Sequence, residues 1–301
     1  MNKKLRGSLL LLLATVIWGS AFVSQSVAMD HMQPFTFQAI RCFLAVLIMV
    51  VIVFIWDKLR KNTGFFARWM DKKLWLAGLL CGVPLFFACN LQQLALLEVD
   101  AGKSGFLTAM YIVFVPIIGL FRKQKPSILV PVSVVIAVAG LYFLSCVGVT
   151  QVQTGDLLLL GCAVMFAVQI NMVDRFVDQV DPLRLNTLQA LVCAVLSTIA
   201  AFTEQPPALS DVAVCIVPLT HVGFLSMGAA YALQILGQKD LPQAPAALIM
   251  SLESVFAAVF GWLLLQEKMS GAELLGSGLV FLAVILSQIE IRPQIKSVRE
   301  K

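Results

Sequence analysis

The stretch Leu248-Ile-Met-Ser-Leu-Glu-Ser-Val-Phe-Ala-Ala-Val-Phe-Gly-Trp-Leu-Leu-Leu265 is apolar almost throughout, yet it carries one carboxylate, Glu253. A run of this length matches the roughly 20 apolar residues that an α-helix needs to cross a bilayer. An ionisable group in its middle costs a few kcal/mol on insertion scales, so it belongs in a bundle interior and marks a candidate functional site.

The whole chain shares this character. Of its 301 residues, 59% are hydrophobic and 13% charged, and the mean hydropathy is +0.90. Soluble chains carry about 25% charged residues, and such long apolar runs in water would expose patches that drive aggregation. In lipid a helix satisfies its own backbone donors and acceptors, so the composition predicts an all-α integral membrane protein. Ten candidate transmembrane helices follow, over 9–28, 37–56, 74–97, 104–121, 127–147, 156–174, 185–203, 212–236, 243–265 and 273–289. Their short connections leave no room for a soluble domain.

Lys and Arg accumulate in cytoplasmic loops. With the N-terminus inside, all but three of the 22 Lys and Arg residues fall in cytoplasmic segments. The exceptions are Lys103 and Lys268 in outer loops and Arg41 in the second span. Both termini are therefore expected in the cytoplasm. The basic start and leucine run after it lack a small-residue cleavage site, so they are read as a retained first helix. The seven cysteines, Cys42, Cys81, Cys89, Cys146, Cys162, Cys193 and Cys215, fall inside spans without ligand-like spacing. They read as small buried residues, and no metal is expected.

The chain repeats itself. Gly7-Ser-Leu-Leu-Leu-Leu matches Gly155-Asp-Leu-Leu-Leu-Leu, and at the same offset of 148 Asp30 meets Asp178 and Pro34 meets Pro182. Further on, Val113-Phe114 matches Val255-Phe256 and Gly119 matches Gly261 at an offset of 142. The expected organisation is two five-helix repeats, 5–147 and 155–290. Five is odd, so the second enters the membrane from the opposite side. Such inverted repeats put substrate near the midplane at their interface, and alternating access exchanges their conformations.

At the 142 offset Glu253 pairs with Tyr111, and both lie near the middle of their spans. Two functional roles suit Glu253: pairing with a substrate ammonium, or exchanging a proton to couple transport to the proton gradient. Packing as a neutral, hydrogen-bonded acid is the structural alternative. Trp18 lies mid-span, where an indole N–H needs a partner, and it is expected to wall a cavity with Phe22, Tyr111 and Tyr231. Aromatic walls beside a carboxylate suit cationic or aromatic ligands. Asn90, Gln93, Gln169, Asn171 and Gln234 are candidates to orient substrate or to hydrogen-bond between helices. Arg41 lies near the outer end of its span, where snorkelling to the surface competes with anion binding. His221 reads as a packed histidine.

Gly78-Leu-Leu-Cys-Gly82 fits close helix packing, within the chain or, as the alternative, in a homodimer. The segment Phe65-Phe-Ala-Arg68-Trp69-Met70 is expected in the cytoplasmic interface, aromatic side down and basic side out. Pro84, Pro116, Pro131, Pro218 and Pro245 are candidate sites of helix breaks or bends. No complete phosphate-binding loop, HExxH, GxSxG or paired carboxylates appear, so neither an ATP-driven pump nor an enzyme is expected, and no cofactor. The expected partners are a small-molecule substrate, lipid and protons, with no nucleic acid.

The motifs Ile17-Trp-Gly-Ser-Ala-Phe22, Arg41-Cys-Phe-Leu-Ala45, Tyr231-Ala-Leu-Gln234, Ser251-Leu-Glu-Ser-Val-Phe256 and Leu265-Gln-Glu-Lys-Met-Ser270 resemble the EamA family of the drug/metabolite transporter superfamily. The resemblance covers nearly the whole chain. It implies ten helices, cytoplasmic termini, duplicated EamA domains and a bacterial inner-membrane carrier of small metabolites, often an exporter of amino acids or related compounds. Ser254 stands where the family often has proline, which removes proline as a cause of a helix break there. Glu267 resembles the family's acid at the end of helix 9 and reads as interfacial. Carriage of a neutral or anionic metabolite, with Glu253 as a proton site only, stays open beside carriage of amines or amino acids. So does a membrane scaffold without transport.

Overall fold

The computed structural model describes residues 2–61, 64–122, 127–145, 153–265 and 270–289. Cys146, Glu267 and Lys268, singled out in the sequence, lie outside the described residues. The first half of the described chain is α1 (Lys3–Met29), α2 (Pro34–Leu59), α3 (Phe65–Trp69), α4 (Lys72–Ala95), α5 (Ala101–Ala109), α6 (Tyr111–Phe121) and α7 (Leu129–Ser145). The second is α8 (Thr154–Phe176), α9 (Pro182–Ala201), α10 (Leu209–Val214), α11 (Ile216–Thr220), a π-helical segment His221–Ala230, α12 (Tyr231–Gln238), α13 (Gln243–Met250), α14 (Leu252–Leu265) and α15 (Gly271–Ser287).

Among the described residues, eight helices or helical runs are long and apolar enough to cross a membrane: α1, α2, α4, α5 with α6, α8, α9, α11 through α12, and α13 with α14. The apolar helices α7 and α15 are shorter, 17 residues each. The distribution of side chains is inverted relative to a protein in water. Leu47, Phe54, Phe121 and Leu264 face outward, while Gln38, Gln93, Gln169, Asn186 and Gln189 are fully buried. Only a hydrocarbon solvent makes that arrangement favourable, so this is a multi-pass membrane protein.

Small residues set how closely the helices approach. A Cβ on Gly78 or Gly82 would fall 2.6 Å from the Cβ of Leu188 or Val192, so the glycine pair in α4 is spent on α9 of the same chain. A Cβ on Gly19 would fall 2.4 Å from the Cβ of Phe256 and 2.8 Å from the Ala257 nitrogen, which locks α1 against α14. The short helices α7 and α15 pack on each other, with Gly140 against the Gly276 carbonyl.

Two polar ties hold the antiparallel pair α2 and α9, one at each end. At one end Asp57 receives Arg184, and Arg68 reaches the same carboxylate at 3.4 Å. Arg184 also meets Asp181 at 3.4 Å and lies against the rings of Phe65 and Trp69. The aromatic side of the 65–70 segment thus turns partly onto protein rather than wholly into lipid. Phe66 and Met70 face outward. At the other end the Glu204 carboxylate accepts the backbone N–H groups of Phe35 and Thr36 and the Thr36 hydroxyl, each at 2.8 Å. It caps donors that the first turn of α2 cannot satisfy itself.

These ties differ in burial and so in expected cost. Asp57→Asn removes the closer of the two carboxylates on a buried guanidinium and is expected to destabilise by up to about 3–5 kcal/mol. Glu204→Gln weakens a helix cap and is expected to cost about 0.5–2 kcal/mol. Thermal unfolding of the detergent-solubilised variants checks the order; equal melting temperatures for the two would contradict it.

Candidate functional site

A cavity of about 40 Å³ lies among α1, α2, α4, α6, α8, the π-helical segment, α12, α13 and α14. Of the residues proposed from the sequence, Trp18, Tyr111, Gln169, Tyr231, Gln234 and Glu253 line it. Phe22 joins them. The aromatic walls meet edge to face, Trp18 on Tyr231 at 5.1 Å between centroids and Tyr111 on Phe166 at 6.4 Å. Glu253 is 7% exposed, lines the cavity and has the Tyr111 hydroxyl as its polar neighbour.

The helices carrying these two residues are interrupted beside them. A turn at Met110 separates α5 from α6, and a turn at Ser251 separates α13 from α14. Three-residue bonds tighten both turns, Val113 N–H to the Met110 carbonyl at 3.0 Å and Ser254 N–H to the Ser251 carbonyl at 3.2 Å. Tyr111 therefore opens α6, and Glu253 sits in the first turn of α14, where the positive end of the helix favours a carboxylate. Ser254 is not at the interruption. Its hydroxyl donates to the Gly105 carbonyl at 2.9 Å and ties α14 to α5.

Gln169 and Gln234 belong to a continuous amide chain. Gln234 donates to Gln169 and to Gln238, Gln169 donates to Gln189, and Gln189 donates to Asn186. The chain ends on backbone carbonyls, Ile170 for Gln238 and Gly228 for Asn186. Such a chain orients each amide through its neighbour.

Asn90 and Gln93 do not line the cavity. Asn90 donates to the Phe86 carbonyl and the Ser197 hydroxyl, between α4 and α9. Gln93 stands behind the wall and donates to Gln25 at 2.7 Å. Asn171 donates to the Ala167 and Val115 carbonyls and is likewise packing. His221 bridges to Ser20 and Ser24 of α1, as a packed histidine would. The six described cysteines are free and buried.

The snorkelling expectation for Arg41 is corrected: its guanidinium lines the cavity, 3% exposed, and Nη1 donates to Gln25. α2 packs on α9 and the π-helical segment, and in that setting the Arg41 guanidinium turns inward to the Gln25 oxygen of α1. Gln25, Gln92 and Ser226 also line the cavity and were not singled out from sequence. Mid-span amides were the available signal for Gln25 and Gln92. Ser226 owes its place to the π-helical turn widths of 221–230, which a 3.6-residue period does not register.

Comparisons with known proteins match this picture. The EamA-like transporter family model matches residues 5–146 and 153–288. An uncharacterized transporter of Archaeoglobus fulgidus is 30% identical over 96% of this chain and 88% of its own length. The threonine/homoserine exporter RhtA of Escherichia coli is 28% identical over 77% of this chain and 79% of its own. A solved crystal structure shares the fold with a TM-score of 0.76 at 16% identity, covering 94% of this chain and 96% of that one.

Breaking the amide chain tests its role in holding the site. Gln169→Leu removes the acceptor for Gln234 and the donor to Gln189, two buried groups at about 1–3 kcal/mol each. The melting temperature should fall well below that of Asn90→Ala, where the amide is lost together with its bonds to the Phe86 carbonyl and the Ser197 hydroxyl.

Proposed function

The chain belongs to the EamA-like transporter family, and on that premise we propose that this membrane transporter is a secondary active exporter of small metabolites such as amino acids or amines. The observation that carries the reading is Glu253: a buried carboxyl lining a small cavity among the helices, at an interrupted helix, beside aromatic walls. It is proposed to receive the substrate's ammonium group or to carry the coupling proton. The name of the Escherichia coli relative, a threonine/homoserine exporter, favours amino acids and outward transport.

A cavity of about 40 Å³ has room for roughly three waters and no metabolite. Substrate therefore requires a conformation in which the cavity opens, which suits alternating access. The proposed device is an inverted pair of five-helix repeats, 5–147 and 155–290. In support, the turns at Met110 and Ser251 fall within one residue of each other at the 142 offset. The end ties also correspond, since Asp57 and Glu204 each close the end of a helix, α2 and α9, whose first residues are Pro34 and Pro182. In this reading α7 and α15 also cross, giving ten spans, with both termini inside the bacterial inner membrane.

The test is efflux of radiolabelled L-threonine, L-homoserine and putrescine from proteoliposomes, with and without an imposed pH gradient. Wild type should release at least one of them faster than protein-free vesicles, and Glu253→Gln should be at least about 10-fold slower. Acceleration by a pH gradient in wild type but not in the variant would assign the proton to Glu253. Equal efflux from both proteins would remove Glu253 from the mechanism.

A further inference from the structure

Among the described residues two arginines are buried, each with an unpartnered Nε, and they differ in the charges that face them. Arg184 has two carboxylates and two aromatic rings around it. Arg41 is 3% exposed, and among the described residues no carboxylate stands within ion-pair distance of it. Its Nη1 donates to the Gln25 oxygen, its Nε is buried without a partner, and the Phe37 ring lies 5.8 Å away. A buried charge without a counter-charge is costly, and truncating one partner of such pairs shows how strongly the other demands compensation.

The groups around Arg41 are donors too. The Gln25 oxygen already accepts from both Arg41 and Gln93, so its amide N–H groups are the end left for the cavity it lines. The Trp18 Nε1–H is buried, lines the same cavity and has no acceptor. Guanidinium, amide and indole groups thus belong to one cavity lining, and the Arg41 Nε and Trp18 Nε1 donors have no acceptor. Elsewhere on its lining the chemistry is the reverse. There stand the Glu253 carboxyl and the Gln234 oxygen, which is buried and accepts no hydrogen bond.

We propose that Arg41, Gln25 and Trp18 form a carboxylate subsite in the cavity that Glu253 also lines, so that the transported solute is a zwitterion held at both ends. The proposal rests on the reading of this cavity as the substrate site. Carboxylate is the chemistry that matches a guanidinium with planar neighbouring donors, and an ammonium with three N–H groups matches a carboxylate with a spare amide oxygen. The position that answers Arg41 at the 148 offset is Gln189, a neutral amide bonded on both sides. The charge is thus peculiar to one half, and it is the half that leaves it uncompensated.

Binding of L-threonine and L-homoserine, their methyl esters and their N-acetyl derivatives to purified protein in nanodiscs tests this without a transport assay. At least one amino acid should bind wild type about 10- to 100-fold tighter than its ester and its N-acetyl derivative, the range expected for losing one charged hydrogen-bonding group. Arg41→Gln should erase the preference over the ester while keeping the preference over the N-acetyl compound; Glu253→Gln should do the converse. If Arg41→Gln does not fold, the wild-type ester series decides alone, and Arg41→Lys should keep the preference in weakened form. An ester that binds wild type as well as its amino acid, with binding still lost in Glu253→Gln, overturns the carboxylate subsite and leaves the amine reading standing. Equal binding by wild type, Arg41→Gln and Glu253→Gln, or no binding of any compound to wild type, overturns both.

Discussion

Polar groups in a membrane interior must be satisfied by the protein itself, and most of this structure follows from that constraint. Unpaired donors in hydrocarbon cost several kcal/mol each, so the amides of α8, α9 and α12 are threaded into one chain that ends on backbone carbonyls. The same constraint draws Asp57 onto Arg184 and Glu204 onto the open N–H groups of α2. Among the groups that it leaves unmet, Trp18 Nε1, Arg41 Nε, Tyr111 Oη and Gln234 Oε1 belong to residues that line the same cavity.

Close packing makes that constraint enforceable. Lipid tails are as apolar as leucine, so helices associate through contact and hydrogen bonds rather than by escaping solvent. Gly78 and Gly82 let α4 meet α9, and Gly19 lets α1 meet the backbone of α14 one turn beyond Glu253. Gly19 precedes no other possibility for size: its neighbour Trp18 fills the cavity wall while the glycine itself brings the helices together. Site and scaffold are therefore adjacent residues on α1.

Much of the site was legible because an interruption of a simple pattern is easy to see. Glu253 breaks an apolar run, Trp18 sits at the wrong depth for an interfacial residue, and Tyr111 is found through the offset from Glu253. Asn90 and Gln93 interrupt α4 in the same way but face α9 and Gln25 instead of the cavity. The mean apolar pattern of α4 has no strong face, so rotation about its axis could not be read. Arg41 was misread for a related reason. Depth along a helix follows from residue number, but a long side chain near a helix end can reach outward or inward, and only its neighbours decide which.

By itself the sequence determined the membrane class, the all-helical character and the acid within an apolar run, because these depend on composition and on distance along the chain. An apolar run of sufficient length has one stable state in lipid, and a carboxylate within it stands out whatever surrounds it. Tertiary structure alone decided which polar residues share a cavity, that the helices are interrupted at Met110 and Ser251, and that Arg41 joins Trp18 and Gln25. Those depend on helix rotation and on contacts between residues far apart in the chain, which glycine-sized gaps and hydrogen-bond partners fix only after the helices have met.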